Sequence, residues 1–263
     1  MNHIPTSMYY PGDSVIHQMQ PLSKLICFIL MVVAVILSDT VPEYIIMGAF
    51  TVFLIWLTKL PPKMALGSVR RLVIFFIVIV AMNFCFYGQD DALIQFGFFK
   101  PSLSGLSQGI TIVIRVVILL IMGNILVLTT APLALTMSLE YLFAPLRIFK
   151  VPVDQIAMIL SVAIQFIPTL FEETDQIRTA QTARGARFDS KRIRDKAYAV
   201  LPLVIPIFLS AFKRADELST AMEARGYRVN HRRKRKKKIE MKTRDIISLV
   251  VCGGLCALMI VLR

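Results

Sequence analysis

Histidine and acidic residues are scarce in this chain. Its 263 residues include 3 His and 17 Asp or Glu, against 30 Lys or Arg. No HExxH segment is present, and no Gly-rich phosphate loop of the Walker type, so metalloprotease chemistry and nucleotide hydrolysis by the chain itself are excluded. The acids of FEETD at 171–175 lack the histidines a transition-metal site prefers, and read as a solvated helix face. Cysteine is limited to Cys27, Cys85, Cys252 and Cys256, all inside apolar runs. Cys252 and Cys256 stand one helical turn apart, but no His or acid sits beside them. Packing explains them better than a four-ligand site. No catalytic residue, metal site or cofactor is expected. The alternative function, a polytopic membrane enzyme of lipid metabolism, would need paired intramembrane Asp, Ser or His, and the apolar runs hold almost none.

What the chain has in abundance is apolar sequence. Hydrophobic residues make up 56% of it and the mean hydropathy is +0.66. Five runs have near the length of a membrane span: Leu22 to Ser38, Val41 to Leu57, Leu72 to Tyr87, Leu106 to Thr130 and Ile246 to Leu262. No cleavable signal peptide is expected, since residues 1–21 are polar and no small-residue cleavage site follows the first run. Lys24, Lys59, Lys63, Arg70 and Arg71 flank one side of the spans. Asp39, Glu43, Asp90 and Asp91 flank the other. The positive-inside rule then predicts a cytoplasmic N-terminus, a cytoplasmic insert after Thr130, and an outside C-terminus at Arg263. Arg115, inside the fourth span, has two readings. It is either a buried intramembrane contact with another helix or subunit, or it snorkels to the outer headgroups.

The insert carries the least ordinary feature. Asp175 to Phe188 reads DQIRTAQTARGARF and Asp216 to Val229 reads DELSTAMEARGYRV. The ungapped copies share Asp175/Asp216, Thr179/Thr220, Ala180/Ala221, Ala183/Ala224, Arg184/Arg225, Gly185/Gly226 and Arg187/Arg228, with Ile177 opposite Leu218. Three helices are predicted here. One runs from Pro132 to Phe149, with Leu135, Leu139, Leu142, Phe143 and Leu146 as its apolar stripe. A second starts after Pro152, with Asp154 suiting the helix dipole, and ends at Arg184-Gly185. A third begins near Ser190 and ends at Arg225-Gly226, with Phe208, Ala211, Ala215, Leu218 and Met222 on one face. Pro168, Pro202 and Pro206 are expected to kink the two long helices. Gly suits a left-handed C-terminal cap and Arg suits the last turn. Capping alone does not ask for the same Asp, Thr and Ala one to three turns earlier. The repeat therefore suggests two equivalent contact points for a partner with two equivalent halves. The run Arg232 to Lys238 (RRKRKKK) is read as a topology signal and lipid contact. Without interleaved aromatics it does not read as a nucleic-acid site.

These residues resemble the transmembrane T component of energy-coupling factor transporters, the cobalt-transport-type permease family of micronutrient importers. The resemblance rests on GDSVIHQMQPLSK at 12–24, TTAP at 129–132, SLEYLFAPL at 138–146, IQFIPTLFEE at 164–173, Arg115, and the paired signatures AQTARGA and AMEARGY. Gln20 departs from the family's acidic residue at that place. The resemblance implies an all-α polytopic membrane protein: four spans in 1–130, a coupling domain in 131–243 with two long crossed helices, and a last span in 244–263. It implies no catalysis by the chain, which would be a subunit of an ATP-driven importer in a prokaryotic cell membrane. Two ABC-type ATPase subunits would dock on Ala183, Arg184 and Gly185 and on Ala224, Arg225 and Gly226. The membrane part would hold a substrate-binding S component for a vitamin or metal ion.

Overall fold

The structure, a computed structural model, describes Tyr10 and residues 12–87, 101–186, 188, 193–227 and 241–262. The expectations for Asp90, Asp91, Arg187, Ser190, Arg228, the 232–238 run and Arg263 fall outside these residues. The described chain is all-helical, as expected: α1 (Pro21–Leu37), α2 (Val41–Thr58), α3 (Pro62–Ala65), α4 (Gly67–Arg71), α5 (Val73–Phe86), α6 (Leu103–Thr129), α7 (Pro132–Leu142), α8 (Val153–Ala183), α9 (Ile193–Ala224) and α10 (Thr243–Leu262). The five apolar runs became α1, α2, α5, α6 and α10. By length and apolarity α2, α6, α8 and α10 suffice to cross a membrane, while α1 and α5 are shorter, at 17 and 14 residues. The protein is a multi-pass membrane protein. Its described residues divide into two compact units, one within Ser7–Tyr141 and Glu240–Arg263, the other within Leu142–Ile239.

In the first unit α10 packs on α1, and α1, α2 and α5 pack on α6. Their shared core holds Met31, Ala34, Met47, Met122 and Met259 together with Cys27, Cys252 and Cys256. The cysteines are free and serve as small apolar side chains. The α5–α6 contact is close because α6 offers Gly105 and Gly109 one turn apart. A Cβ at Gly105 would collide with the carbonyl oxygens of Asn83 and Tyr87, and one at Gly109 would lie 3.1 Å from the Val80 Cα. Small residues at this spacing let membrane helices approach until their backbones touch. Helix starts are set locally. Pro21 opens α1. The Glu43 carboxylate reaches back to accept the backbone N–H groups of Asp39 (2.7 Å) and Thr40 (3.1 Å) at the start of α2.

Two buried charges hold helix ends together. The Lys24 ammonium donates to the Thr129 carbonyl (2.9 Å) and the Thr130 hydroxyl (3.4 Å), where the C-terminal end of α6 attracts a cation. The Asp245 carboxylate accepts the N–H of Lys242 (2.9 Å), capping its own helix, and the N–H of Gln20 (2.8 Å), capping α1. One side chain thus satisfies two helix starts, at Gln20 and at Lys242.

The second unit contains α8, α9 and a 3-10 turn over Ala144–Phe149. The helix predicted from Pro132 to Phe149 stops at Leu142, because Pro145 cannot continue the α-helical hydrogen bonding. Of its predicted stripe, Leu135, Leu139 and Leu142 are half-buried on α7. Thr136 and Ser138 are the buried positions, with their hydroxyls donating to Pro132 and Ala134 carbonyls. Phe143 and Leu146 are exposed. Asp154, in the first turn of α8, pairs with Arg147 of the 3-10 turn. Both long helices continue without interruption through Pro168, Pro202 and Pro206. On α9 the half-buried stripe is Leu203, Ile207, Ala211, Arg214, Leu218 and Met222. Phe208 and Ala215 lie off it and exposed, and Phe208 stacks edge-on with Phe212 (centroids 4.8 Å apart).

Candidate functional site: two matched helix tips

The repeated sequence folds into two copies of one local structure. α8 ends at Ala183, and Gly185 follows with φ +90°. α9 ends at Ala224, and Gly226 follows with φ +70°. At the first tip the Gly185 N–H donates to the Thr182 carbonyl (3.0 Å) and the Ala186 N–H to Gln181 (3.0 Å). At the second the Gly226 N–H donates to Glu223 (2.9 Å) and the Tyr227 N–H to Met222 (2.9 Å). Both are Schellman caps, bond for bond. An added Cβ on either glycine would meet nothing within 4 Å, so within this chain only the left-handed backbone requires Gly.

The likeness extends back along both helices. The Thr179 hydroxyl donates to the Asp175 carbonyl (2.8 Å), and the Thr220 hydroxyl to the Asp216 carbonyl (2.9 Å). These threonines are thereby satisfied by their own helix. Ile177 and Leu218 are both half-buried, as are Gln181 and Met222. Ala183, Arg184, Gly185, Ala224, Arg225 and Gly226 are all exposed. One tip carries an additional contact, Arg178 over the Phe188 ring at 5.7 Å.

Where α8 and α9 pack on each other, Arg214 meets Glu173 at 3.3 Å. These two residues occupy equivalent places in the repeat, each eleven residues before its Arg-Gly. Equivalent positions of two like rods meet near a local two-fold axis. From that meeting point each helix runs about 16 Å to its tip. The sequence reading treated the FEETD acids as a solvated face and missed this pair. Applying the repeat offset to residues upstream of the identical block would have brought it out.

Arg115, on α6, is held within the bundle unit. Its guanidinium donates to the Ser38 carbonyl (2.7 Å) and the Tyr44 hydroxyl (2.7 Å), and lies 3.5 Å from the Asp39 carboxylate. The Tyr44 hydroxyl in turn donates to Ser38, and the Tyr44 ring faces the guanidinium at 5.9 Å. Arg115 therefore ties α6 to the turn between α1 and α2.

A family model described as cobalt transport protein matches residues 12–237. The chain belongs to that family. Among curated relatives it is 38% identical over 204 residues to the energy-coupling factor transporter transmembrane protein EcfT of Bacillus subtilis, covering 78% of this chain and 77% of the relative. It is 35% identical over 204 residues to the protein of that name from Streptococcus thermophilus, with the same coverages. The protein so named from Brevibacillus brevis is 39% identical over 203 residues, 77% of each chain. These matches make the chain a transmembrane component of the energy-coupling factor type, a transporter subunit and not a catalyst. Both Arg-Gly tips fall inside the matched region.

Proposed function

We propose that the chain is the coupling subunit of an ABC-type importer, linking ATP hydrolysis by two ATPase subunits to uptake of a vitamin or metal micronutrient through a separate S component. The observation that carries this reading is the pair of matched caps, each presenting an exposed arginine at a rigid helix end. A guanidinium so presented suits a bidentate grip on carboxylate or carbonyl oxygens of a partner. Two matched tips about a local two-fold suit two equivalent partner surfaces. In this reading Ala183, Gly185, Ala224 and Gly226 keep the surroundings of Arg184 and Arg225 low enough for backbone-level approach. The domain scheme of 1–130, 131–243 and 244–263 belongs to the same proposal, as do a prokaryotic cell membrane, a cytoplasmic N-terminus and an outside C-terminus.

Breaking a desolvated charge contact costs about 2–5 kcal/mol, so either Arg184→Ala or Arg225→Ala weakens ATPase retention by at least tenfold. The double variant loses both ATPases while the chain stays folded in the membrane. Retention of both ATPases by the double variant at unchanged affinity would overturn the proposal.

A further inference from the structure

Charges of the same sign recur at equivalent places along most of the repeat. Aligned from 172 to 187 against 213 to 228, Asp175, Arg184 and Arg187 match Asp216, Arg225 and Arg228. Glu172 and Glu173 match residues of the opposite sign, Lys213 and Arg214. This inversion falls where α8 and α9 pack on each other. There the Arg214 guanidinium donates to the Glu173 carboxylate at 3.3 Å, and both side chains are half-buried. Lys213 stays exposed beside Glu217 of its own helix (3.9 Å). Equivalent residues of two like rods face each other across a local two-fold, so equal charges at that place would repel. On either side of the pair the half-buried positions are again equivalent, and apolar: Leu170 and Ala211 before it, Ile177 and Leu218 after it. Apolar burial is non-directional and does not by itself distinguish packings one turn apart. A slide of one turn moves one tip about 5 Å along its axis relative to the other. The segment between Ala183 and Ile193 is long enough to take up such a slide. A charge-assisted hydrogen bond is directional, and the slide breaks it.

We propose that Glu173 and Arg214 are a positioning pair that sets the register of α8 against α9, and with it the spacing of the two Arg-Gly tips. The pair acts as a single polar residue does in an apolar coiled-coil seam, selecting one register among several of similar burial. Neither residue reaches a tip; each acts through the helix that carries it. The consequence for transport rests on the ATPase-docking reading, since only a partner touching both tips senses their spacing. The register itself does not rest on that reading, and it is tested on the chain alone.

Thr182 and Glu223 occupy equivalent, exposed places near the two tips, so Thr182→Cys and Glu223→Cys in a full chain without the four native cysteines accept one spin label each. Double electron–electron resonance in detergent should give one narrow distance. Replacing the pair with Glu173→Leu and Arg214→Leu leaves no unpaired charge, and such replacements are often neutral or stabilising, so the melting temperature should not fall. The distance distribution should nevertheless broaden, with components displaced by up to about 5 Å, one helical turn. Exchanging the charges, Glu173→Arg with Arg214→Glu, should restore the single distance. A narrow, unchanged distance in the double Leu chain would overturn the proposal, because packing alone would then set the register. So would a distribution that stays broad after the exchange, or a double Leu chain that broadens only because it melts earlier. In reconstituted complexes the double Leu chain should still bind ATPases through Arg184 and Arg225 but transport less substrate per ATP, and the exchange should restore the ratio. An unaltered ratio in the double Leu chain would overturn the role in transport. Failure of the unaltered chain to bind any ATPase would instead defeat the docking reading and leave the register result standing.

Discussion

The two cap glycines separate two explanations of the repeat, because the structure isolates a single reason for each. Gly185 and Gly226 sit at φ +90° and +70° with open space where a side chain would go. Replacing either with Ala therefore meets no steric clash within the chain and costs only the left-handed backbone, about 1–2 kcal/mol. Part of that is offset by the reduced freedom of the unfolded chain, about 0.4–1 kcal/mol. The net, about 1 kcal/mol per site, exceeds thermal energy but is small against a folded bundle, so the loss is local: the cap frays and the protein stays folded. Hydrogen exchange reads this at the Ala186 and Tyr227 amides, the Schellman donors, whose protection should fall about fivefold. Asn tolerates the left-handed region, so Gly185→Asn and Gly226→Asn should keep most of that protection. In the ATPase-retention assay Asn should likewise lie nearer wild type than Ala does, if backbone shape is what the partner reads. Equal loss of retention with Ala and Asn, despite protected amides in the Asn variants, would refute the backbone argument and show that the partner rejects any side chain there.

Three further outcomes are expected. Replacing Pro168, Pro202 and Pro206 together with Ala restores three missing backbone N–H donors; ATPase binding should persist while substrate transported per ATP in reconstituted vesicles falls, and an unchanged ratio would assign the prolines to packing alone. Asp245→Ala removes the acceptor for two helix starts, at about 1 kcal/mol each, so denaturation in detergent should shift by about 2 kcal/mol. Asp245→Asn, which keeps one carbonyl oxygen, should lose about half as much, and equal effects of Ala and Asn would contradict the shared-cap geometry. In a background without the four native cysteines, a cysteine at position 263 should label from outside intact cells and one at 235 only after permeabilisation; the reverse pattern would invert the topology.

Much of this architecture was legible in sequence because membrane helices are written in composition. The runs at 22–38 and 41–57 became α1 and α2 with ends moved by one residue, set by Pro21 and by the Thr40–Glu43 cap. The Arg-Gly ends of α8 and α9 fell where the repeat put them, since a Gly that can take positive φ is a local signal. Long-range polar contacts were not legible. Nothing local announces that Asp245 caps α1, that Lys24 bonds to the end of α6, or that Arg115 reaches Ser38. Each depends on which helices become neighbours. The stripe assigned to α7 lost Phe143 and Leu146 for a different reason: the α-helix ends at Leu142, so its 3.6-residue phase no longer places the residues that follow.

The central claim is that two equivalent tips engage two ATPase subunits, and affinity purification of the full chain from its native membrane in mild detergent tests it most directly. Quantitative mass spectrometry of the retained proteins should find two ABC-type ATPase subunits per chain, with a small membrane protein of the substrate-binding kind. A chain recovered alone, or with membrane proteins but no ATPase, under conditions that keep it folded would contradict the account.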